Sequence, residues 1–536
     1  MTVEPQAFDP QWTDPDQANY TWNKGGLGPP LPKLYEDVYR AYAEGMKACW
    51  EDVASPMAKD HVIHFAQGFI YQRGPDFDEA AGARLMQHGR RAAERRDTGE
   101  GIYFEEMRPE CIEIVTRLRK HPRPTRPLKE LVAHLEDCMG AFAHIFGHLH
   151  WKMAAGLLGP GGGMPTFAWP KRYAEITGRP ESEAAPLVAG LENVLTGATK
   201  RMRKLARIAA SDPDLLAVVE AGDADKLDVD RPSFKKFRSG FKALLREFGQ
   251  RIGVGWGSSS GIDSPTWNIA PDIPLRLIAK FARTNLDEIE RKEKAIARQR
   301  NRLLANVRRH LARDQMKLAE FDFELARARR YELWTEDHNY WMDQSSAGIV
   351  RDAAHVVGQR LVRDNVIDDP LDVLHLSLDE LRNPPPDARA LVAERKAIHE
   401  RRREMDPPKQ IGKPGQPGRD IQVDEGEGHV EGELRGVAAS SGVYTGRARV
   451  CMPSPIPPDV DDGDIMIAVD AGPDWTPLFA ILGAVVLDKG AAWQHAAVMA
   501  REFGIPAVTG TKEGTTVIEE GQTITVDGDA GVVRLA

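Results

Sequence analysis

At 536 residues, with 80 acidic against 71 basic side chains and a formal net charge of −9, the chain is too long for one ordinary core and too acidic for a general nucleic-acid binder. Cys49, Cys111, Cys138 and Cys451 form no CxxC pair, which argues against a disulfide scaffold or a zinc knuckle and for a reducing compartment. No apolar run approaches about 20 residues, and the N-terminus lacks a basic start followed by an apolar segment, so a cytoplasmic protein with no membrane span is expected.

Residues 1–35, rich in Pro, Gly, Asp, Asn and Trp, read as an irregular arm whose aromatics staple onto a neighbouring surface or border a substrate pocket. Helical patterning starts at Leu34 and runs to Trp50, with further helices expected over 80–97, 104–119 and 128–156. RGP at 73–75, Gly99 and RPTRP at 123–127 separate them. The stretch DHVIHFAQGF is read as a helix carrying His61 and His64.

The densest histidine cluster is His134, His144, His148 and His150. His144 and His148 are four apart and share a helical face, as do Phe142 and Phe146, and His134 falls near that face if the helix survives Gly140. Such histidines suit metal ligation, a base for a hydroxyl substrate, contacts to a transferred phosphate, or packing in an aromatic core. No HExxH pattern accompanies them. The run GPGGGMP at 159–165 lacks the GK[ST] of a phosphate loop and reads as a loose interhelical connection or a lid.

Residues 183–248 return to helices, and the Gly- and Ser-rich centre of 241–281 breaks them, with Pro265, Pro271 and Pro274 marking the exit. Residues 287–333 mix charge and leucine at helical spacing, as solvated helix faces do. Beyond them Glu336, Asp337, His338 and Asn339 sit among aromatics and are followed by Arg351. His338 and Arg351 are the favoured pocket residues there, against a role in buried hydrogen bonding, with Tyr340 and Trp341 as an apolar wall. From residue 383 the composition turns to Pro, Gly and acidic residues, a connector that separates a helical body from a C-terminal domain.

The stretch 484–510 organises the C-terminal part. Ala484 to Leu487 reads as a buried strand, Asp488-Lys489-Gly490 as a turn, Ala496 to Phe503 as a helix opened by His495, and Gly504-Ile505-Pro506 as its stop before a strand at Ala507-Val508. A histidine at the head of such a helix is placed to carry negative charge, because free backbone N–H groups and the dipole favour an anion there.

Residues 434–535, with His495, Ala497, Ala500-Arg501-Glu502 and Gly504-Ile505-Pro506 in order, resemble the swivelling phosphohistidine domain of phosphoenolpyruvate-utilising enzymes. The resemblance implies that His495 is phosphorylated on a ring nitrogen and travels between two sites, with Gln494 and Arg501 as phosphate contacts. Gln494 stands where the family carries a hydroxyl residue, and Ala491 where it carries glycine. Gly249-Gln250-Arg251 and Pro265-Thr266-Trp267 resemble landmarks of the substrate-side linker domain of rifampicin phosphotransferase and its relatives, with Gln250 in place of histidine and Arg251 as a phosphate or carboxylate contact.

No ATP-grasp pattern and no pyruvate-handling barrel accompanies these segments, an arrangement similar to the histidine-bearing subunit of phenylphosphate synthase. The expected fold is multidomain. A mainly α-helical substrate-binding body of one or two subdomains covers 1–395, a flexible hinge 396–430, and an α/β swivelling phosphohistidine domain 431–536. The expected function is that of an ATP-dependent phosphotransferase subunit. A separate ATP-grasp nucleotide-binding subunit, using Mg2+ with ATP, loads His495 as a covalent phosphohistidine, and the phosphoryl group passes to a small phenol or alcohol. His144 or His148 is the expected base and Arg251 or Arg351 the charge clamp. The alternatives are a phosphocarrier that serves another protein and a degenerate scaffold.

Overall fold

The computed structural model describes residues 8–24, 30–55, 62–74, 76, 78–97, 101–158, 165–252, 264–414, 428–430, 432–452, 459–490 and 494–535. His61, most of the GPGGGMP run, the Gly-Trp-Gly-Ser-Ser-Ser segment, the centre of the expected hinge and Ala491 lie outside the described residues. The chain forms two compact units from interleaved segments. The first takes 1–163, 254–269 and 341–420, and the second 164–253, 270–340 and 421–536.

The first unit is helical, with Lys33–Val53, Glu79–Asp97, Arg108–Leu118, Leu128–Phe142 and Ser345–Arg363 as its main elements. Leu128–Phe142 continues through a π-helical stretch, Ala143–His150, into Trp151–Leu158, so the helix does survive Gly140. Lys33–Val53 crosses that stretch closely because Gly45 meets Ala143 and Gly147; a Cβ on Gly45 would lie 1.9 Å from the Ala143 carbonyl oxygen. Tyr39, Tyr42, Phe142 and Phe146 pack as an aromatic group beside the crossing.

Two sequence expectations are corrected in this unit. The stretch read as a helix around His64 is a hairpin, β2 (Ile63–Ala66) and β3 (Phe69–Gln72), after β1 (Thr21–Lys24). Gln67 and Gly68 form its two-residue turn with φ of 50° and 82°, the left-handed pair that suits the twist of a tight hairpin. The N-terminal arm is likewise not wholly irregular. Its β1 joins β3 and β4 (Gln410–Gly412) in an antiparallel sheet of order β2-β3-β1-β4. Trp22 is fully buried there against Phe69 and Tyr71, with Phe8 and Trp12 packed on the cluster, so the aromatics do staple the arm down.

In the second unit, Val194–Ala210, Pro232–Phe248, Asp272–Arg283, Leu286–Leu311 and Gln315–His338 form the helical part. In Pro232–Phe248 the buried Phe234, Phe237, Phe241, Leu244 and Phe248 recur at helical spacing. The C-terminal part is mixed α/β, and its strands are β5 (Gly428–Val430), β6 (Glu433–Arg435), β7 (Val437–Ser440), β8 (Val443–Cys451), β9 (Ile465–Ala468), β10 (Ala484–Leu487), β11 (Ala507–Thr509), β12 (Thr523–Asp527) and β13 (Val532–Leu535). Their order is β5-β6-β13-β12-β8-β9-β10-β11-β7.

β8 through β11 are parallel neighbours at the centre of this sheet, and antiparallel strands flank them. β9 and β10 are buried at every position, as strands covered on both faces must be. The helix His495–Phe503 links β10 to β11 and ends on Gly504 at φ 66°, with Ile505 N–H donating to the Ala500 carbonyl at 3.0 Å. This is the left-handed stop that the Gly-Ile-Pro motif implies.

Candidate functional site

Parallel strands deliver their following turns to one edge of the sheet, and in open α/β sheets that carboxyl edge is where chemistry collects. β10 ends at Leu487, and Asp488 then accepts from Thr511 Oγ1 at 3.3 Å and from Thr515 N–H at 3.1 Å, which pins the turn. Gly490 carries the chain onward at φ 134°. Gln494 occupies the N-cap of the following helix without making a side-chain cap bond, and His495 is the first helical residue.

Both ring nitrogens of His495 have partners. Nδ1 lies 2.8 Å from Oε2 of Glu336, on the last turn of the helix Gln315–His338, and Nε2 lies 3.1 Å from Oγ1 of Thr476 in the segment after β9. A carboxylate only accepts, so Nδ1 carries a proton, and in the neutral ring Nε2 keeps the lone pair, toward which the Thr476 hydroxyl donates. The His495 side chain is 11% exposed and that of Glu336 0%. Glu336 Oε1 is buried with no hydrogen-bond partner among the described residues.

Further carboxyls surround this pair. Burial raises the Glu332 carboxyl, and burial followed by the charges of Glu332 and Glu336 raises Glu502 well above the usual range; Arg501 opposes both shifts. Glu332 and Glu336 are one helical turn apart on the same helix. Burial thus disfavours the charged form of two carboxyls beside the one that accepts the histidine proton.

The residues expected from the sequence fall in different places. Arg501 donates to the Ala439 carbonyl at 3.0 Å, tying its helix to β7. His338 does not share the bond that Glu336 makes; its Nδ1 pairs with the Trp334 carbonyl at 2.8 Å, its ring stacks on Trp334, and burial lowers its pKa. Arg251 is fully buried in the second unit, just beyond the helix Pro232–Phe248. Arg351 is buried in the first unit on Ser345–Arg363. His144 and His148 do share a face, with ring centroids 5.6 Å apart, and are paired with Glu110 at 2.8 Å and Asp52 at 2.9 Å. His134 is not part of that face. It lies 2.9 Å from His121 and 3.7 Å from Cys138.

Sequence reasoning does not single out Thr476, and it places Glu336 only as a neighbour of His338. The i, i+4 spacing of Glu332 and Glu336, and the position of Thr476 just beyond the wholly apolar strand β9, are the signals that could find them. Among the described residues no helix is long and apolar enough to cross a membrane.

Residues 460–531 match the mobile domain of PEP-utilising enzymes, and residues 160–334 match the fourth domain of rifampicin phosphotransferase. The chain is similar to chondramide synthase cmdD of Chondromyces crocatus, at 29% identity over 65% of this chain and 10% of that one. It is similar to rifampicin phosphotransferase of Bacillus cereus, at 26% identity over 60% of this chain and 37% of that one. It is also similar to phosphoenolpyruvate synthase of Aeropyrum pernix, at 35% identity over 31% of this chain and 19% of that one. The chain thus spans between 10% and 37% of the length of these relatives. One match encloses His495 and the other most of the helix that delivers Glu336, so over these segments the chain is related to phosphoenolpyruvate synthase and rifampicin phosphotransferase.

Proposed function

We propose that the chain is a phosphoryl-transfer relay in which His495 Nε2 is the phosphate carrier between a nucleotide and a small hydroxyl acceptor. The observation that carries this reading is the double engagement of His495, with Nδ1 held by buried Glu336 and Nε2 presented beside Thr476. In the loading step the Nε2 lone pair attacks phosphorus and a phosphorus–oxygen bond to the nucleotide breaks; Glu336 then holds the charged phosphohistidine ring when the domain docks on the helical body. The donor is ATP with Mg2+ held on a separate ATP-grasp subunit. The phosphate-bearing domain, 431–536, swivels on the linker 396–430 between that subunit and the helical body.

In the second step an acceptor hydroxyl attacks phosphorus, the nitrogen–phosphorus bond breaks, and the hydroxyl proton passes to a base. Oε1 of Glu336, which has no hydrogen-bond partner among the described residues, is the base that best fits the geometry; His144 and His148 are the alternatives, with Arg251 and Arg351 as clamps. A phenol or an alcohol fits this chemistry.

The test uses γ- and β-labelled ATP, the full chain and an ATP-grasp subunit from the same source. Acid-labile, base-stable label in the native chain and none in His495→Ala supports the relay. Release of that label to phenols or alcohols supports the transferase. Release only to another protein supports a carrier instead, and equal labelling of the alanine variant overturns the reading. Loss of release, with loading retained, in Glu336→Gln or in His144→Gln with His148→Gln, identifies the base.

A further inference from the structure

Away from His495, the first unit gathers a second set of donor atoms. His121 follows the helix Arg108–Leu118, while His134 and Cys138 are four residues apart on Leu128–Phe142 and so share a face. His121 Nδ1, His134 Nε2 and Cys138 Sγ lie within 4.8 Å of one another, with 2.9 Å between the two nitrogens and 3.7 Å between His134 Nε2 and the sulfur. Behind them, His134 turns its other nitrogen to the Leu118 carbonyl, and His121 Nε2 faces Asp352 Oδ2 at 3.8 Å. Asp352 is itself oriented by Thr266 and by Asn268, whose Nδ2 donates at 2.6 Å.

Protons alone leave this cluster unsatisfied. The carbonyl of Leu118 accepts, so the proton of His134 is on Nδ1 and its Nε2 is a bare lone pair. If His121 carries its proton on Nδ1, it bonds that lone pair but presents a bare Nε2 to a carboxylate. If the proton is on Nε2, it suits Asp352, but two lone pairs then face each other at 2.9 Å. His121 Nε2 is accordingly buried with no hydrogen-bond partner among the described residues. A cation between the three donors removes the conflict, because it uses both facing lone pairs and frees the His121 Nε2 proton for Asp352.

We propose that the first unit binds one divalent transition-metal ion of the zinc type through His121 Nδ1, His134 Nε2 and Cys138 Sγ, with Asp352 and the Leu118 carbonyl orienting the two imidazoles. Tetrahedral ligation with metal–nitrogen bonds of about 2.0 Å and a metal–sulfur bond of about 2.3 Å needs donors roughly 3.3–3.6 Å apart, and the separations from His134 Nε2 to His121 Nδ1, 2.9 Å, and to Cys138 Sγ, 3.7 Å, lie close to that range. Two imidazoles and a thiol select zinc-like ions over magnesium or calcium, which take oxygen donors. A carboxylate behind a ligating histidine is the usual support for such a ligand. Binding exchanges the Cys138 thiol proton for the metal and releases that proton to solvent. Three protein donors leave one position for water or a small ligand. The site joins the turn at His121 to the helix at His134, and through Asp352 to Ser345–Arg363, so it is a staple of the first unit.

The test measures metal, so its outcome is separate from that of the relay. The full chain is stripped with chelator, equilibrated with micromolar zinc and analysed for metal content, and a second sample is loaded with Co2+. One zinc per chain and a thiolate-to-cobalt charge-transfer band are expected for the native protein. Cys138→Ser abolishes the band, His134→Gln weakens zinc binding at least tenfold, and Asp352→Asn weakens it roughly tenfold. His144→Gln, which alters a surface pair, leaves metal content and band unchanged. A native chain that stays metal-free at micromolar zinc, or a cobalt spectrum with no thiolate band, overturns the proposal without recourse to any variant.

Discussion

His495 and Glu336 are 159 positions apart in the chain, yet Nδ1 of one lies 2.8 Å from Oε2 of the other. The bond decides which nitrogen keeps the lone pair. A carboxylate on Nδ1 keeps that atom protonated, leaves the lone pair on Nε2 and, in the proposed relay, favours the positive ring of the phosphohistidine docked on the helical body.

Glu336→Gln keeps the shape and an accepting oxygen but removes the negative charge. Release of label from loaded His495 to the acceptor should slow by about 10²-fold or more, with loading and the fold retained. A rate within twofold of the native chain would show that the carboxylate charge is not used.

Thr476 is fully buried, and its hydroxyl meets Nε2 at 3.1 Å. Thr476→Val preserves volume and deletes one hydrogen bond, so the loading rate should fall by roughly 3- to 10-fold, equivalent to about 0.5–1.5 kcal/mol. Rapid-quench labelling measures this, and an unchanged rate would remove Thr476 from the step.

Gly490 has φ 134°, and a Cβ there would lie 2.9 Å from Gln494 Oε1 and 3.1 Å from Thr509 Cβ. Gly490→Ala should destabilise the second unit by about 1–3 kcal/mol and slow labelling, because the strained turn sets the entry to the His495 helix. Denaturant unfolding and the labelling rate report the two effects separately.

Glu502 carries a carboxyl that burial raises well above its ordinary value. Its folded pKa exceeds its unfolded one, so the folded state binds the extra proton. The associated stability is full below about pH 4.5 and declines as pH rises through the folded pKa. Glu502→Gln should therefore leave the melting temperature nearly unchanged at about pH 4 and raise it progressively above the native value toward pH 8. Thermal melts across that range would contradict the assignment if the two proteins kept a constant difference.

Much of the fold is legible in local pattern. Phe234, Phe237, Phe241, Leu244 and Phe248 mark a helix face, Ala484 to Leu487 mark a doubly covered strand, and Gly504-Ile505-Pro506 mark a left-handed stop. The hairpin around His64 imitates a helix in sequence because its Gln67-Gly68 turn lacks the Asn-Gly or Asp-Gly signal, and β2 and β3 are short enough to pass for one helical turn each. The strand β1 leaves no local mark in the N-terminal arm because its pairing partners, β3 and β4, are distant in the chain.

The sequence by itself singled out His495 as the proposed phosphate carrier, since its helix start, its strand neighbours and its stop are all encoded within about 25 positions. Only the tertiary structure decided its partners. Glu336 and His338 are two residues apart at one helix end and point differently, Glu336 to His495 and His338 to the Trp334 carbonyl. The same holds in the first unit, where spacing groups His134 with His144 and His148, but folding groups it with His121 and Cys138. Periodicity specifies which residues share a face. It does not specify what that face meets, because the meeting is set by long-range packing between segments that carry no mark of each other in the sequence.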